Sequence, residues 1–421
     1  MIMRALGVVL ISGAIGAGAI GAAVTMNPTS APAPISDDHD WEKSRPGADS
    51  GRVAIMIDAL GRTDPVVCEL IADQIGNFWW GGDRYGVGRL AAASTTARIA
   101  KDSIGGTITD PRAINRLVAE LDGPNACTRR VAAKMLGNSS ITAARLNGLL
   151  TDASANVRES AALAAGNGEH KLAIPALVRA LDDRTPAVAA MAAWALGELE
   201  DKASLPALTK LVRTGDTQVR LSAMWALGQL EDARALPDVV AVLRDQNPLI
   251  RAMAAEVLGR LEKRDAIEPL ERALADDSDV RVRAEAASSL GKISAPSSAP
   301  ALGKALSDAN VEVRRAAAEA LGDLDDLHTA PGGLTAAVSA NDPELRYRAA
   351  KALANIADPA TTSAIIAILS SPDAELRKDA VEALGKIKGA PAVEAITRAL
   401  TDRDPEVRKA AAEALGESDE G

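Results

Sequence analysis

From about residue 110 onward, apolar and polar positions recur in one pattern, written ten times. Its clearest copy is VRRAAAEALG, in which Arg314 can serve as an anchor. The equivalent positions are Arg129, Arg158, Ala189, Arg220, Arg251, Arg283, Arg314, Arg346, Arg377 and Arg408. The steps between them are 29, 31, 31, 31, 32, 31, 32, 31 and 31 residues. Fixed self-similarity at this period marks a solenoid rather than several unrelated domains.

Each copy predicts a helix with defined ends. Four residues before the anchor stand Asn125, Ser154, Thr185, Asp216, Asn247, Asp279, Asn310, Asp342, Asp373 and Asp404. All are residue types whose side chains accept from the exposed amides of a first helical turn. Pro186, Pro248, Pro343 and Pro405 follow their caps, where proline is favoured. An apolar residue precedes most anchors. Leu stands seven positions after the anchor in nine copies, with Ala165 the exception, and Gly follows in nine, with Ala354 the exception. Leu-Gly predicts a helix end, with glycine taking the left-handed capping conformation. A second helix is predicted between each Gly and the next cap, as in IPALVRAL (174–181). Pro175, Pro206, Pro237, Pro269 and Pro300 lie in its first turn. The unit is helix–turn–helix, and stacking units buries a continuous core.

The spacing D-x-x-V-R-x-x-A-A-x-A-L-G, as in DPEVRKAAAEALG (404–416), resembles the short HEAT repeats of the phycobilin-lyase type. The resemblance implies an all-α, right-handed solenoid of about eleven helical pairs. It also implies that the anchor helix lines the concave face and that the Arg row, broken at Ala189, is a structural ladder. Arrays of this kind act mostly as binding scaffolds.

The N-terminus is of another character. Residues 1–24 are apolar or small apart from Arg4, and no acidic residue precedes Asp37. This predicts a signal peptide or an N-terminal anchor, hence a periplasmic or extracellular protein, membrane-attached only if the segment stays uncleaved. Residues 25–48 read as a Pro-rich linker, 49–109 as irregular capping repeats and 110–421 as the regular array. Within the capping repeats, Asp49–Gly61 predicts a lone anchor-type helix and Pro65–Asn77 an outer one. Between them and the array comes an aromatic, Gly-rich stretch holding Trp79, Trp80 and Tyr85. It predicts either a hydrophobic cap for the array's end or a secondary binding loop.

Composition narrows the chemistry. The chain has 57 acidic and 47 basic residues, and its net charge of −10 disfavours non-specific nucleic-acid binding. Eight aromatic residues in 421 leave Ala, Leu and Val to pack the core. Three His and two Cys give little material for a metal or iron–sulfur centre. Gly16–Gly21 matches a dinucleotide-binding glycine pattern, yet it lies inside the apolar leader with no strand before it. Zinc-peptidase, phosphate-loop and nucleophile-elbow motifs are absent from the sequence. Carboxylate runs such as Asp276-Asp277 and Asp325-Asp326 read as solvated turns and caps. Cys68 and Cys127 fall in neighbouring units, and either a disulfide or two buried thiols would suit them. No catalytic residue, metal ligand or cofactor site is assigned.

One row suggests a partner site. Five positions after the anchor stand Lys134, Leu163, Trp194, Trp225, Glu256, Ser288, Glu319, Lys351, Glu382 and Glu413. A 100° helical step puts this row off the buried stripe. Leu163, Trp194 and Trp225 break its polarity in three consecutive units, with Leu221, Met191 and Met253 beside them and Tyr347 a weaker extension. The expected function is protein binding through this apolar patch on a concave surface. The alternatives are a HEAT-type enzyme, lyase- or oxidoreductase-like, and a purely structural spacer. If the Trp rings instead lean over neighbouring helices, they fill gaps between Ala-rich repeats.

Overall fold

The computed structural model describes residues 107–416, together with Val53, Ile57 and Asp58. Helix α1 (Pro111–Glu120) leads into α2 (Ala126–Gly137), and α3 (Ala143–Leu149) into α4 (Ala155–Asn167). The chain continues through α5 (Ile174–Ala180), α6 (Pro186–Glu198), α7 (Leu205–Thr214), α8 (Thr217–Leu230), α9 (Leu236–Val242) and α10 (Pro248–Leu261). It proceeds through α11 (Ile267–Asp276), α12 (Val280–Ile293), α13 (Ala299–Ala305), α14 (Val311–Gly322) and α15 (Gly332–Ala337). It closes with α16 (Pro343–Ile356), α17 (Thr362–Ile368), α18 (Ala374–Ile387), α19 (Ala390–Ala399) and α20 (Pro405–Gly416). The result is an all-α solenoid in which each odd-numbered helix pairs with the even-numbered anchor helix that follows. Among the described residues the only β pairing is one isolated bridge, Ile108 to Ser139.

Successive anchor helices pack along their lengths, whereas successive odd-numbered helices touch at few points. The closely spaced row is the inner one, so the anchor helices line the concave side. Eight of the ten predicted caps accept an amide in their first turn, for example Asn310 from Glu312 at 2.8 Å and Asp342 from Leu345 at 2.8 Å. Ser154 and Thr185 make no side-chain cap bond; the Ser154 hydroxyl donates to Asp122 instead. The predicted prolines Pro175, Pro206, Pro237 and Pro300 stand in the first turns of α5, α7, α9 and α13.

The glycine of Leu-Gly does different work from that expected. It lies in the helix body or at its last residue, and left-handed backbone appears further on. Glu169, Glu200, Glu231, Glu262, Ser294, Ala357 and Lys388 have φ between 47° and 60°. None of them is glycine, so each carries the steric cost that L-residues meet there. Glycine is required instead by the next repeat. A Cβ on Gly197 would lie 2.9 Å from the Ala226 Cα, one on Gly259 2.9 Å from the Ser289 Cα, and one on Gly291 2.8 Å from the Ala320 Cα. The residue facing each glycine is the small one six positions after the next anchor. The period therefore encodes close helix approach, through a Gly in one repeat and an Ala or Ser in the next.

The Arg row is a ladder between repeats. Arg158 pairs bidentately with Asp183 at 2.7 and 2.9 Å, and its Nη1 donates to the carbonyls of Asp152 and Ala153. Arg251 holds Asp277, Arg283 holds Asp308 and Arg377 holds Asp402 in the same way. Arg220 reaches Asp245. These aspartates also accept the amide two residues on, fixing the turn before the next cap. Asp277 is therefore not the solvated turn residue the sequence suggests: it is a structural carboxylate, half-buried and clamped by Arg251. The Arg158 guanidinium holds Asp183 below the usual carboxylate range, and Arg283 does so for Asp308.

At the N-terminal end Val53 and Ile57 are buried, and Asp58 meets Arg116 of α1 at 3.1 Å. The predicted helix at 65–77 and the aromatic stretch with Trp79, Trp80 and Tyr85 lie outside the described residues, as do the leader and the linker. Cys127 is disulfide-bonded, and Cys68, the chain's only other cysteine, also lies outside them. No described helix is long and apolar enough to cross a membrane.

Candidate functional site

The site is the inner face of the anchor helices. The positions one, two and five after the anchor form parallel rows along the stacked helices, buried in some repeats and open in others. The six residues singled out from the sequence come from four consecutive anchor helices. Leu163 belongs to α4, Met191 and Trp194 to α6, Leu221 and Trp225 to α8, and Met253 to α10.

The structure brings these residues side by side but does not leave them open. Trp194 is only 3% exposed, and Leu163, Met191, Leu221 and Met253 are buried as well. Trp225 alone is half-buried. The two indole rings stack with centroids 6.3 Å apart and planes 24° apart. Each ring also lies over a glycine of the preceding repeat. A Cβ on Gly166 would come within 2.8 Å of the Trp194 ring, and one on Gly197 within 2.7 Å of the Trp225 ring. The rings thus lean along the array and fill space above the glycines, which is why an outward-facing row is buried here. The open patch expected at this end is reduced to the Trp225 ring and its rim.

Further along, the same rows are charged and open. Glu319, Lys351, Glu382 and Glu413 are exposed, and Tyr347 is 37% exposed. The charges interlock within and between repeats. Arg315 pairs with Glu312 at 2.7 Å and with Asp342 at 2.6 Å, and Arg348 pairs with Glu344 at 2.7 Å and with Glu319. Lys378 bridges Glu375 and Glu382 at 3.2 and 3.9 Å. The Arg315 guanidinium and the Leu345 amide hold the Asp342 carboxyl at about 2. Burial, with Glu375 and Glu382 nearby, pushes Asp379 the other way, above the usual range. Such mixed, paired charge gives a surface able to exchange ion pairs with a partner.

Sequence reasoning missed the aspartates of the ladder. Their signal was available as an offset of 25 or 26 residues from Arg158, Arg220, Arg251, Arg283 and Arg377, two residues before the next cap.

A profile described as HEAT repeats matches residues 142–223, 210–290, 273–332 and 331–416, together more than half of the 421-residue chain. No curated protein matches the sequence. Among solved structures, the fold is similar to a chain in a study of Kap95p binding, which induces the switch loops of RanGDP to adopt the GTP-bound conformation. The TM-score is 0.52 at 13% identity, over 87% of this chain and 60% of that one. An engineered protein matches 72% of this chain with 98% of its own length, at 24% identity and a TM-score of 0.47.

Proposed function

Since the chain belongs to the HEAT-repeat family, we propose that it is an exported scaffold that binds a protein partner on its concave face and performs no catalysis of its own. The observation that carries this is the half-buried Trp225 ring, stacked on Trp194 within the apolar stretch of the inner face and followed in its row by Glu256. An aromatic anchor rimmed by polar groups is the usual centre of a protein interface. Trp225 is the partner-contacting member of the group, and the buried Leu163, Met191, Trp194, Leu221 and Met253 are the packing that holds its ring in place. Trp79, Trp80 and Tyr85 form a secondary binding stretch. That a similar fold occurs in a chain from a Kap95p–Ran study supports a protein as the partner. The repeat period supports the short, phycobilin-lyase-type form of HEAT repeat, as a statement about repeat type and not about lyase chemistry.

Export rests on the apolar leader, and the disulfide at Cys127 supports an oxidising compartment. Fractionation should find the protein in the envelope or medium; a cytosolic full-length chain with an intact leader would contradict it. The binding reading is tested by capture from the envelope fraction, followed by reconstitution with the purified partner. Trp225→Ala should lose the partner that the wild-type chain holds while keeping its helical content. Unchanged affinity of that variant for the purified partner would contradict the assignment of the site.

A further inference from the structure

Among the described residues the anchor arginines at the two ends of the array, Arg129 and Arg408, hold no carboxylate, and inside the array the Arg–Asp ladder lacks its carboxylate at Arg314 and Arg346, in adjacent repeats. In the rungs of Arg158, Arg251, Arg283 and Arg377 the guanidinium is fixed on one side by two carbonyls of its own turn, and its Nε and Nη2 hold a carboxylate on the other. Arg314 and Arg346 keep the first half. Nη1 of Arg314 donates to the carbonyls of Asp308 at 2.7 Å and Ala309 at 3.0 Å. Nη1 of Arg346 donates to those of Ala340 at 2.8 Å and Asn341 at 3.1 Å. The second half is missing. The positions two residues before the next caps, where Asp183, Asp308 and Asp402 stand in filled rungs, hold Ala340 and Ser371. An alanine side chain accepts nothing, and the Ser371 hydroxyl accepts from the Asp373 amide at 3.2 Å.

The repeat anchored at Ala189 makes a useful contrast. There the arginine is gone and so is the carboxylate, since Thr214 stands two residues before the cap Asp216. That rung is absent as a pair, whereas at Arg314 and Arg346 the cation stays, held in position without its anion. The nearby carboxylates are already engaged: Asp308 by Arg283, Asp342 by Arg315 and Glu344 by Arg348. Arg314 is half-buried and Arg346 exposed, so both are within reach of solvent, and the exposed Tyr347 ring follows Arg346 on the groove face. A pre-positioned guanidinium edge binds a planar carboxylate through two parallel bonds, as the filled rungs demonstrate in this same chain.

Building on the protein-binding reading above, we propose that Arg314 and Arg346 are paired carboxylate-binding positions, filled by acidic side chains of a bound polypeptide. The partner segment crossing this end of the groove is acidic and takes the places of two aspartates that the array lacks.

The test uses the full chain with ¹⁵N-labelled arginine, its Nε–Hε signals assigned with single Arg→Lys variants. The probe is a Glu-Gly repeat peptide, with a Gln-Gly peptide as control. The Arg314 and Arg346 signals should shift with the Glu peptide only, while those of Arg158, Arg283 and Arg377 stay in place. Ala340→Asp combined with Ser371→Asp should refill both rungs and weaken peptide binding by about tenfold or more. Uniform shifts across all arginines, no shift at all, or unchanged binding by the refilled variant would overturn the proposal. Capture at Trp225 is scored separately, so a flat titration removes the acidic-segment assignment and leaves the scaffold reading intact.

Discussion

Two stretches of one inner face, built from the same repeat, carry opposite surfaces. From α4 to α10 the outward rows hold Leu163, Met191, Trp194, Leu221 and Met253, all buried, with Trp225 half-buried among them. From α14 to α20 they hold Glu319, Lys351, Glu382 and Glu413, and all are exposed. The helix–turn–helix unit and its period of 31 or 32 residues are the same in both. What differs is side-chain size and polarity at a few positions per helix. Large rings at the first stretch lie back over the glycines of the preceding repeat and become core, whereas charged side chains at the second stand out and pair with one another. A solenoid can thus change the character of its groove along its length without changing its fold.

The largest effect should separate the two stretches through core loss. Trp194→Ala removes a buried ring and should cost about 3–5 kcal/mol. Lys351→Ala, in the same row, should fall within about 0.5 kcal/mol of wild type. Urea unfolding of both variants measures this, and similar losses would erase the contrast. Next comes the spacing that both stretches share. Gly291→Ala places a methyl 2.8 Å from the Ala320 Cα and should cost about 1–3 kcal/mol by overpacking. A neutral result would mean that the glycine only terminates the helix.

Smaller effects concern the charged stretch. Replacing Asp342 with Ala removes a helix cap and the Arg315 ion pair and should destabilise the chain by less than the loss of a buried ring does. Its carboxyl is held at about 2, below the ordinary range, so the folded state binds that proton more weakly than the unfolded chain. The contribution is therefore complete above the ordinary aspartate range and is lost as the pH falls from there through about 2. Acid titration of stability should show this window in the wild type and a shallower slope in the variant. Asp379 has the opposite sign: burial raises it, so its cost is felt at neutral pH and relieved as the pH falls. Asp379→Asn should be slightly more stable than wild type at neutral pH and lose that advantage in acid. The smallest effect lies at the rim. Glu200 sits at φ 51°, and Glu200→Gly should stabilise by about 0.5 kcal/mol by relieving left-handed strain.

The solenoid was legible because its period, caps and prolines are local signals, repeated until chance is excluded. The role of Leu-Gly was not legible. Glycine favours both a left-handed turn and a close approach, and only the neighbouring repeat decides between them, as Ala226 does for Gly197. The partners of the Arg row lie 25 or 26 residues away, so they read as ordinary turn aspartates until the stacking brought Asp183 against Arg158. The candidate site was legible as a row but not as a surface. A helical step places Trp194 off its own helix's buried stripe, and it cannot register that a glycine in the preceding helix leaves room for the ring.

Two lysines in one row, Lys134 in α2 and Lys351 in α16, test most directly whether that row is closed early in the array and open further along. Lys134 is 1% exposed, whereas Lys351, at the same position in a later repeat, is exposed. Acetylation of the native protein, followed by mass spectrometry, compares their rates in one sample. Lys351 should react as an ordinary surface amine and Lys134 at least about tenfold more slowly, with the difference vanishing in denaturant. Equal native rates at the two lysines would contradict the account.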